Sequence, residues 1–154
     1  MEKAMNVAFF YLKFRPRSVW ELRQYMEKKS EKHGFTSAII DAVVARLIEL
    51  RYLDDREFVR WFIDQRQRVK PRSRLHLVAE LKKHGITAPV LEEYFLEHAV
   101  NESASAYDLL LRKAASFARF SARERNRRIM NYLSRRGFSY EVIKKTIARW
   151  ESGE

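Results

Sequence analysis

The stretch Lys83–Leu91, KHGITAPVL, decides the fold of this 154-residue chain. It predicts a helix that ends on a cation, a left-handed glycine, and a hydroxyl residue that caps the next helix. The same phrase recurs around Gly34 as HGFTSAII and around Gly137 as RGFSYEVI, although the chain has only four glycines. Gly34, Gly85 and Gly137 lie 51 and 52 residues apart, which indicates three copies of one helical unit.

Composition and spacing favour an all-α chain. Glycine and proline are scarce, apolar residues recur at helical spacing, and no useful stretch alternates with the period of two typical of a strand. We therefore expect three tandem three-helix repeats, at residues 1–52, 53–103 and 104–154. The predicted helices are 3–14, 19–33, 37–50, 55–69, 74–84, 88–100, 104–118, 122–136 and 140–151.

Helix starts are marked by capping boxes, in which a side-chain oxygen and a residue three positions on satisfy free backbone donors. The pattern predicts boxes at Ser18–Glu21, Asp54–Glu57 and Ser121–Glu124. The first repeat departs from the other two, because its apolar residues before Gly34 fit only with about one extra helical turn in KKSEKHG.

The chain is strongly basic, with a net charge of +11 and a pI near 10.1. The excess is uneven: +4 in residues 1–52, zero in 53–104 and +7 in 105–154. Such a charge predicts attraction to a polyanion, either nucleic acid or an acidic protein surface. The absence of cysteine excludes disulfides, and neither a signal peptide nor an apolar stretch of membrane-spanning length is present, so we expect a soluble cytoplasmic protein.

Two basic runs are candidate partner-binding surfaces, one across residues 66–74 and the other across residues 123–145. A solvated helix face is the alternative interpretation. The first run has five cations and no acid in nine residues, so we expect its cations to lack local ion-pair partners and to repel one another until an anion binds. The candidate residues are Arg66, Arg68, Lys70, Arg72, Arg74, Arg123, Arg125, Arg127, Arg128, Arg135, Arg136, Lys144 and Lys145.

Catalytic motifs are missing from the sequence. There is no glycine loop for phosphate, no GxSxG elbow and no HExxH. Asp54, Asp55 and Glu57 form the one tight acidic cluster, which could serve a metal-dependent nuclease, but helix capping explains these residues better. We expect no enzyme activity, no metal and no cofactor.

Four segments together resemble the RecX family of bacterial regulatory proteins: SVWELRQYM, RYLDDREFVRWFIDQR, LVAELKKHGI and RRGFSYEVIKKTI. The order and spacing extend over nearly the whole chain, and LDD-x-x-F followed by EL-x-x-x-GI is the most specific part. Two places depart from the family pattern. Arg51 stands where the family often has glycine, and VKPRSR replaces a glycine-containing turn.

The resemblance implies an elongated, curved array of three three-helix repeats and a non-enzymatic modulator of RecA recombinase. Such a protein binds the RecA–single-stranded-DNA filament and restrains its growth, ATP hydrolysis, strand exchange and coprotease activity. The implied partners are RecA and single-stranded DNA, and the protein is expected to be a monomer. The alternative is a DNA-binding protein of helix-turn-helix character, which the charge and the short helix pairs also allow.

Overall fold

The computed structural model describes residues 1–154, which form nine α-helices and no strand. The predicted all-α fold is confirmed, and each predicted helix is present with bounds that differ by three residues at most. None of the helices combines the length and the apolar character needed to cross a membrane. The helices are α1 Glu2–Leu12, α2 Val19–His33, α3 Ser37–Glu49, α4 Asp55–Val69, α5 Arg74–Lys83, α6 Ala88–Glu97, α7 Glu102–Ala118, α8 Ala122–Arg135 and α9 Tyr140–Ser152.

The glycine turns follow α2, α5 and α8, and all three have the predicted left-handed backbone. The φ angles of Gly34, Gly85 and Gly137 are 69°, 75° and 87°. After Gly85, the N–H of Ile86 donates to the carbonyl of Leu81 at 3.2 Å, which closes the end of α5. The phrase therefore ends one helix and begins the next, and it recurs once in every three helices.

The hydroxyl caps behave as the phrase predicts in the first and third copies. Thr36 Oγ1 accepts from the N–H of Ile39 at 3.3 Å, and Ser139 Oγ accepts from Val142 at the same distance. In the middle copy the backbone carbonyl of Thr87 accepts from the N–H of Leu91 at 3.2 Å.

The three predicted capping boxes have different outcomes. The box of Ser18 and Glu21 is present in full. Asp54 begins α4 by accepting from the N–H of Arg56 at 2.8 Å. The box at Ser121 is wrong, because its side chain makes no capping hydrogen bond. Glu124, its predicted partner, instead binds two arginines one turn further along α8.

The chain divides into two compact units. Unit 1 contains residues 1–62 and 81–96, and unit 2 contains residues 63–80 and 97–154. The core of unit 1 is built from aliphatic residues and one methionine, namely Ala4, Ala8, Leu22, Met26, Ile40, Val43, Val44, Leu47 and Leu53. The core of unit 2 is built from Ala106, Leu109, Leu110, Phe117, Ile129, Leu133, Phe138, Ile143 and Ile147.

Arg51 is the only residue other than glycine with a positive φ, at 60°. It follows α3, and the next residue, Tyr52, donates its N–H to the carbonyl of Leu47 at 2.9 Å. The turn thus uses a left-handed residue to end the helix, as the glycine turns do. A residue with a Cβ pays about 1–2 kcal/mol for this conformation.

Candidate anion-binding surface

The triplet Pro-Arg-Ser occurs twice, at residues 16–18 before α2 and at residues 71–73 before α5. The serine is fully buried in both copies, and each copy lies against a glycine turn within its own compact unit. A Cβ on Gly85 would overlap Cβ and Cγ of Trp20, and a Cβ on Gly137 would overlap Oγ of Ser73. We name these two places the Ser18 junction (Arg15, Ser18, Trp20, Glu21, His84, Gly85) and the Ser73 junction (Lys70, Arg72, Ser73, His76, Arg136, Gly137).

The Ser18 junction is organised around the carboxylate of Glu21, of which only 8% is exposed. Arg15 donates to both carboxylate oxygens, at 2.6 and 3.1 Å, and the N–H of Ser18 donates at 3.1 Å. The Nδ1 of His84 lies 3.1 Å from the same carboxylate, and Ser18 Oγ donates to the His84 carbonyl at 2.6 Å. The polar groups of the Ser18 junction therefore satisfy one another.

The pKa of Glu21 reflects this arrangement. Burial by itself would raise the pKa of the carboxyl group, but the hydrogen bonds from Arg15 and from the Ser18 backbone outweigh burial. Together with the charges of Arg15 and His84, they hold the pKa below its ordinary value. The ionised carboxylate is thus the form that stabilises unit 1.

The acidic cluster proposed for metal binding lies beside this junction and is used for capping and ion pairing. Asp55 Oδ1 accepts from the N–H of Val19 at 2.8 Å, at the first turn of α2. Burial raises the pKa of Asp55, and the nearby charge of Asp54 adds to the increase. Glu57 pairs with Arg60 at 3.3 Å. No group of three His, Cys, Asp or Glu residues could hold a metal ion.

The Ser73 junction has different side chains at equivalent positions. His76 takes the place of Glu21, three residues after the serine. Arg136 takes the place of His84, directly before the glycine. A Cβ on Gly137 would lie 2.5 Å from His76 Cδ2, so the turn that carries Arg136 contacts His76. The internal carboxylate of the first junction therefore has no counterpart at this position in the second.

The Ser73 junction brings cations from both basic runs together. Lys70 takes the place of Arg15, three residues before the serine. Its pKa is lowered by partial desolvation and by the charges of Arg136, Lys113 and Arg72. Lys113 comes from α7 and belongs to neither predicted run. The structure thus brings the first run close to Arg136 of the second run, together with a cation that the charge pattern missed.

The prediction that the first run lacks ion-pair partners is wrong. Glu80, on α5, accepts from both Arg66, at 3.1 Å, and Arg72. Arg68 pairs with Asp64 one turn back on α4, at 3.1 Å. The acids lie outside the nine-residue run, and helix geometry and the chain reversal between α4 and α5 bring them to it.

Several arginines of the second run are also paired. Arg127 and Arg128 share Glu124, at 2.7 and 2.8 Å, and Arg125 pairs with Glu151 at 2.8 Å. On α9, Lys145 pairs with Glu141 at 3.0 Å. The side chains of four other candidates make no ion pair in the structure, namely Arg123, Arg135, Arg136 and Lys144.

A groove of about 330 Å³ between α7 and α8 continues the cationic surface within unit 2. No acid lines it, and Arg119 joins the cations that the sequence predicted. Arg128 lies 4.1 Å from the centre of the Phe120 ring, and Lys113 lies 4.5 Å from that of Tyr132. The full lining is Lys113, Ser116, Phe117, Arg119, Phe120, Arg127, Arg128, Asn131, Tyr132 and Arg135.

Three family models match the chain in tandem. The model described as RecX, first three-helix domain, matches residues 4–47, the second three-helix domain matches 54–94, and the third matches 101–147.

The sequence is also similar to curated relatives named regulatory protein RecX. That of Prosthecochloris aestuarii is 33% identical over 145 residues, which cover 94% of this chain and 91% of the relative. That of Geobacillus thermodenitrificans is 32% identical over 149 residues, which cover 96% of this chain and 54% of the relative. The chain therefore spans about half the length of the Geobacillus protein.

Two solved structures share the fold. The crystal structure of RecX from Lactobacillus salivarius has a TM-score of 0.82 at 19% identity, covering 97% of this chain and 96% of that one. A crystal structure of regulatory protein RecX has a TM-score of 0.73 at 16% identity, covering 93% and 69%. These likenesses, together with the three family models, support three three-helix domains in tandem.

Proposed function

The chain belongs to the RecX family, and from this premise we propose that it is a non-enzymatic regulator of the RecA recombinase. In this proposal it binds the RecA–single-stranded-DNA filament in the cytoplasm and restrains the recombinase, ATPase and coprotease activities. The three domains are assigned to residues 1–52, 53–103 and 104–154. The observation that carries the proposal is family membership, together with a cationic surface whose charges are incompletely neutralised.

The cations of the Ser73 junction are the best-supported contacts. Lys70, Arg136 and Lys113 carry like charges close together and make no ion pair with an acid of the chain. Like charges held together are unfavourable until an opposite charge approaches. The paired arginines of α8 are weaker candidates, because a partner must compete with Glu124 for them.

RecA ATPase activity on single-stranded DNA tests the proposal, with this protein titrated to saturation. We expect inhibition by the wild type, and about tenfold more protein needed for half-inhibition after Lys70→Glu and Arg136→Glu are combined, since about 1.4 kcal/mol of lost contact gives that factor. Lys28→Glu with Arg46→Glu is the control, because it changes the net charge equally in unit 1. Absence of inhibition at every concentration would refute the proposal.

DNA binding distinguishes the regulator from a sequence-reading protein of helix-turn-helix character. We expect weak, salt-sensitive binding that does not depend on sequence. Binding to one duplex sequence at least 1,000-fold (roughly the lower end of specific recognition) above competitor DNA would favour the alternative.

A further inference from the structure

The two junctions differ in one functional respect: the Ser18 junction contains its own anion. The carboxylate of Glu21 is held by three groups: the guanidinium of Arg15, the backbone N–H of Ser18 and the imidazole of His84. In the Ser73 junction those positions carry Lys70, Ser73 and Arg136, and no acid replaces Glu21.

Acids elsewhere in unit 2 do not make up the difference. Glu80 already accepts from Arg66 and Arg72. Glu102 accepts from the backbone N–H of Arg74 at 2.8 Å, just as Asp55 serves Val19 in the first junction. The charges of Arg136 and Lys113 therefore act on Lys70 and help to lower its pKa, and none of these three side chains forms an ion pair with an acid.

We propose that the Ser73 junction binds a carboxylate of an acidic segment on a partner protein, next to Lys70 and Arg136, which are equivalent in sequence to the residues that hold Glu21, namely Arg15 and His84. A carboxylate is favoured over a phosphodiester because the corresponding sequence positions of the Ser18 junction hold a carboxylate, that of Glu21. In that copy a single guanidinium spans both carboxylate oxygens, at 2.6 and 3.1 Å. The inference deepens the proposed function, since the acidic segment would belong to the regulated partner.

His76→Glu tests the inference by placing the carboxylate within the chain. At pH 8 we expect the variant to melt about 2–4 °C above His76→Gln, a shift that corresponds to about 1 kcal/mol in a domain of this size. We also expect it to bind a poly-L-glutamate probe at least tenfold more weakly than the wild type does, because its own carboxylate occupies the site. Asn6→Glu is the matched control, since Asn6 is exposed on α1 and its substitution changes the net charge equally.

Three outcomes would overturn the inference. Equal weakening by Asn6→Glu and His76→Glu would show that only net charge matters. An unchanged affinity for poly-L-glutamate in His76→Glu would show that the probe binds elsewhere. Weakened binding of oligo(dT), with poly-L-glutamate unaffected, would show that the junction takes a phosphodiester.

The inference and the proposed function can fail separately. Site-specific binding of poly-L-glutamate without inhibition of the RecA ATPase would support the carboxylate site and refute the regulatory role. Inhibition that His76→Glu leaves unchanged would overturn the carboxylate site as a partner contact and leave the regulatory role supported.

Discussion

The Ser18 and Ser73 junctions share a sequence pattern but differ in their electrostatics. Both place a Pro-Arg-Ser triplet against a left-handed glycine, and both have a cation three residues before the serine. Glu21 neutralises the first, whereas His76 leaves the second cationic. The change from Glu21 to His76 thus distinguishes a junction that holds its own carboxylate from the junction for which we propose a partner's carboxylate.

Both junctions retain a close approach between the glycine and the segment that contains the serine, although their polar side chains differ. The contact between glycine and the serine segment is needed to pack each unit, so both copies keep the close approach. The polar side chains around it can change without disturbing that approach. Packing and the proposed binding therefore depend on different atoms of the same segment.

The largest expected effect is on the free energy of unfolding, when alanine replaces Gly85, which packs against Trp20, rather than Gly34, which has no close neighbour. Gly85→Ala should cost about 2–5 kcal/mol, because it combines a left-handed backbone with overlap on Trp20. Gly34→Ala should cost only about 1–2 kcal/mol, because no atom lies within 4 Å of its added Cβ. Urea denaturation followed by circular dichroism measures both.

Gly137→Ala extends this comparison to the Ser73 junction. Its new Cβ would meet the side chains of Ser73 and His76, which can rotate, so the loss should fall between the other two values. If Gly34→Ala and Gly85→Ala destabilise equally, the junction contact contributes nothing beyond backbone conformation.

The next effect tests the carboxylate of the Ser18 junction. Because the folded state lowers the pKa of Glu21, its stabilisation is complete above the ordinary value near 4.5 and is lost as the pH falls through the folded pKa. Glu21→Gln should cost about 2 kcal/mol at pH 7, since it leaves Arg15 without its charged partner. It should also flatten the decline in melting temperature between pH 6 and pH 3 (roughly the range of carboxyl titration). An acid profile identical to that of the wild type would contradict this role.

The smallest expected effect measures the energetic cost of the left-handed backbone at Arg51. Arg51→Gly relieves a left-handed conformation, and we expect a gain of about 0.5–1 kcal/mol after the extra entropy of glycine in the unfolded chain. The melting temperature of the variant measures the gain. A decrease would mean that the arginine side chain contributes more than its backbone conformation costs.

The helices could be predicted from the sequence because their signals are local. The glycine phrase predicts where α2, α5 and α8 end, and this prediction depends only on residues that are neighbours in sequence. The left-handed backbone of Arg51 was not predicted, although the family often has glycine at this position and glycine adopts that conformation readily.

The candidate surface was harder to predict because its electrostatics depend on residues distant in sequence. Glu80 neutralises two arginines of a run that contains no acid, and the charge of Lys113, on a different helix, helps to lower the pKa of Lys70. The capping box at Ser121 failed for a related reason, since Glu124 had stronger cationic partners one turn away. The repeated Pro-Arg-Ser triplet was the available signal for the junctions, and comparing its two copies would have exposed the change from Glu21 to His76.

Gly34 has a practical consequence for experiments on living cells and single molecules. A Cβ there would meet open space, and the helix before it, α2, has five residues more than α5. We therefore expect the turn at Gly34 to tolerate a fluorophore, an affinity tag or a few inserted residues better than the other two glycine turns do. The same alteration at Gly85 or Gly137 would push against a packed contact. We therefore expect length variation among natural sequences to accumulate at the first turn.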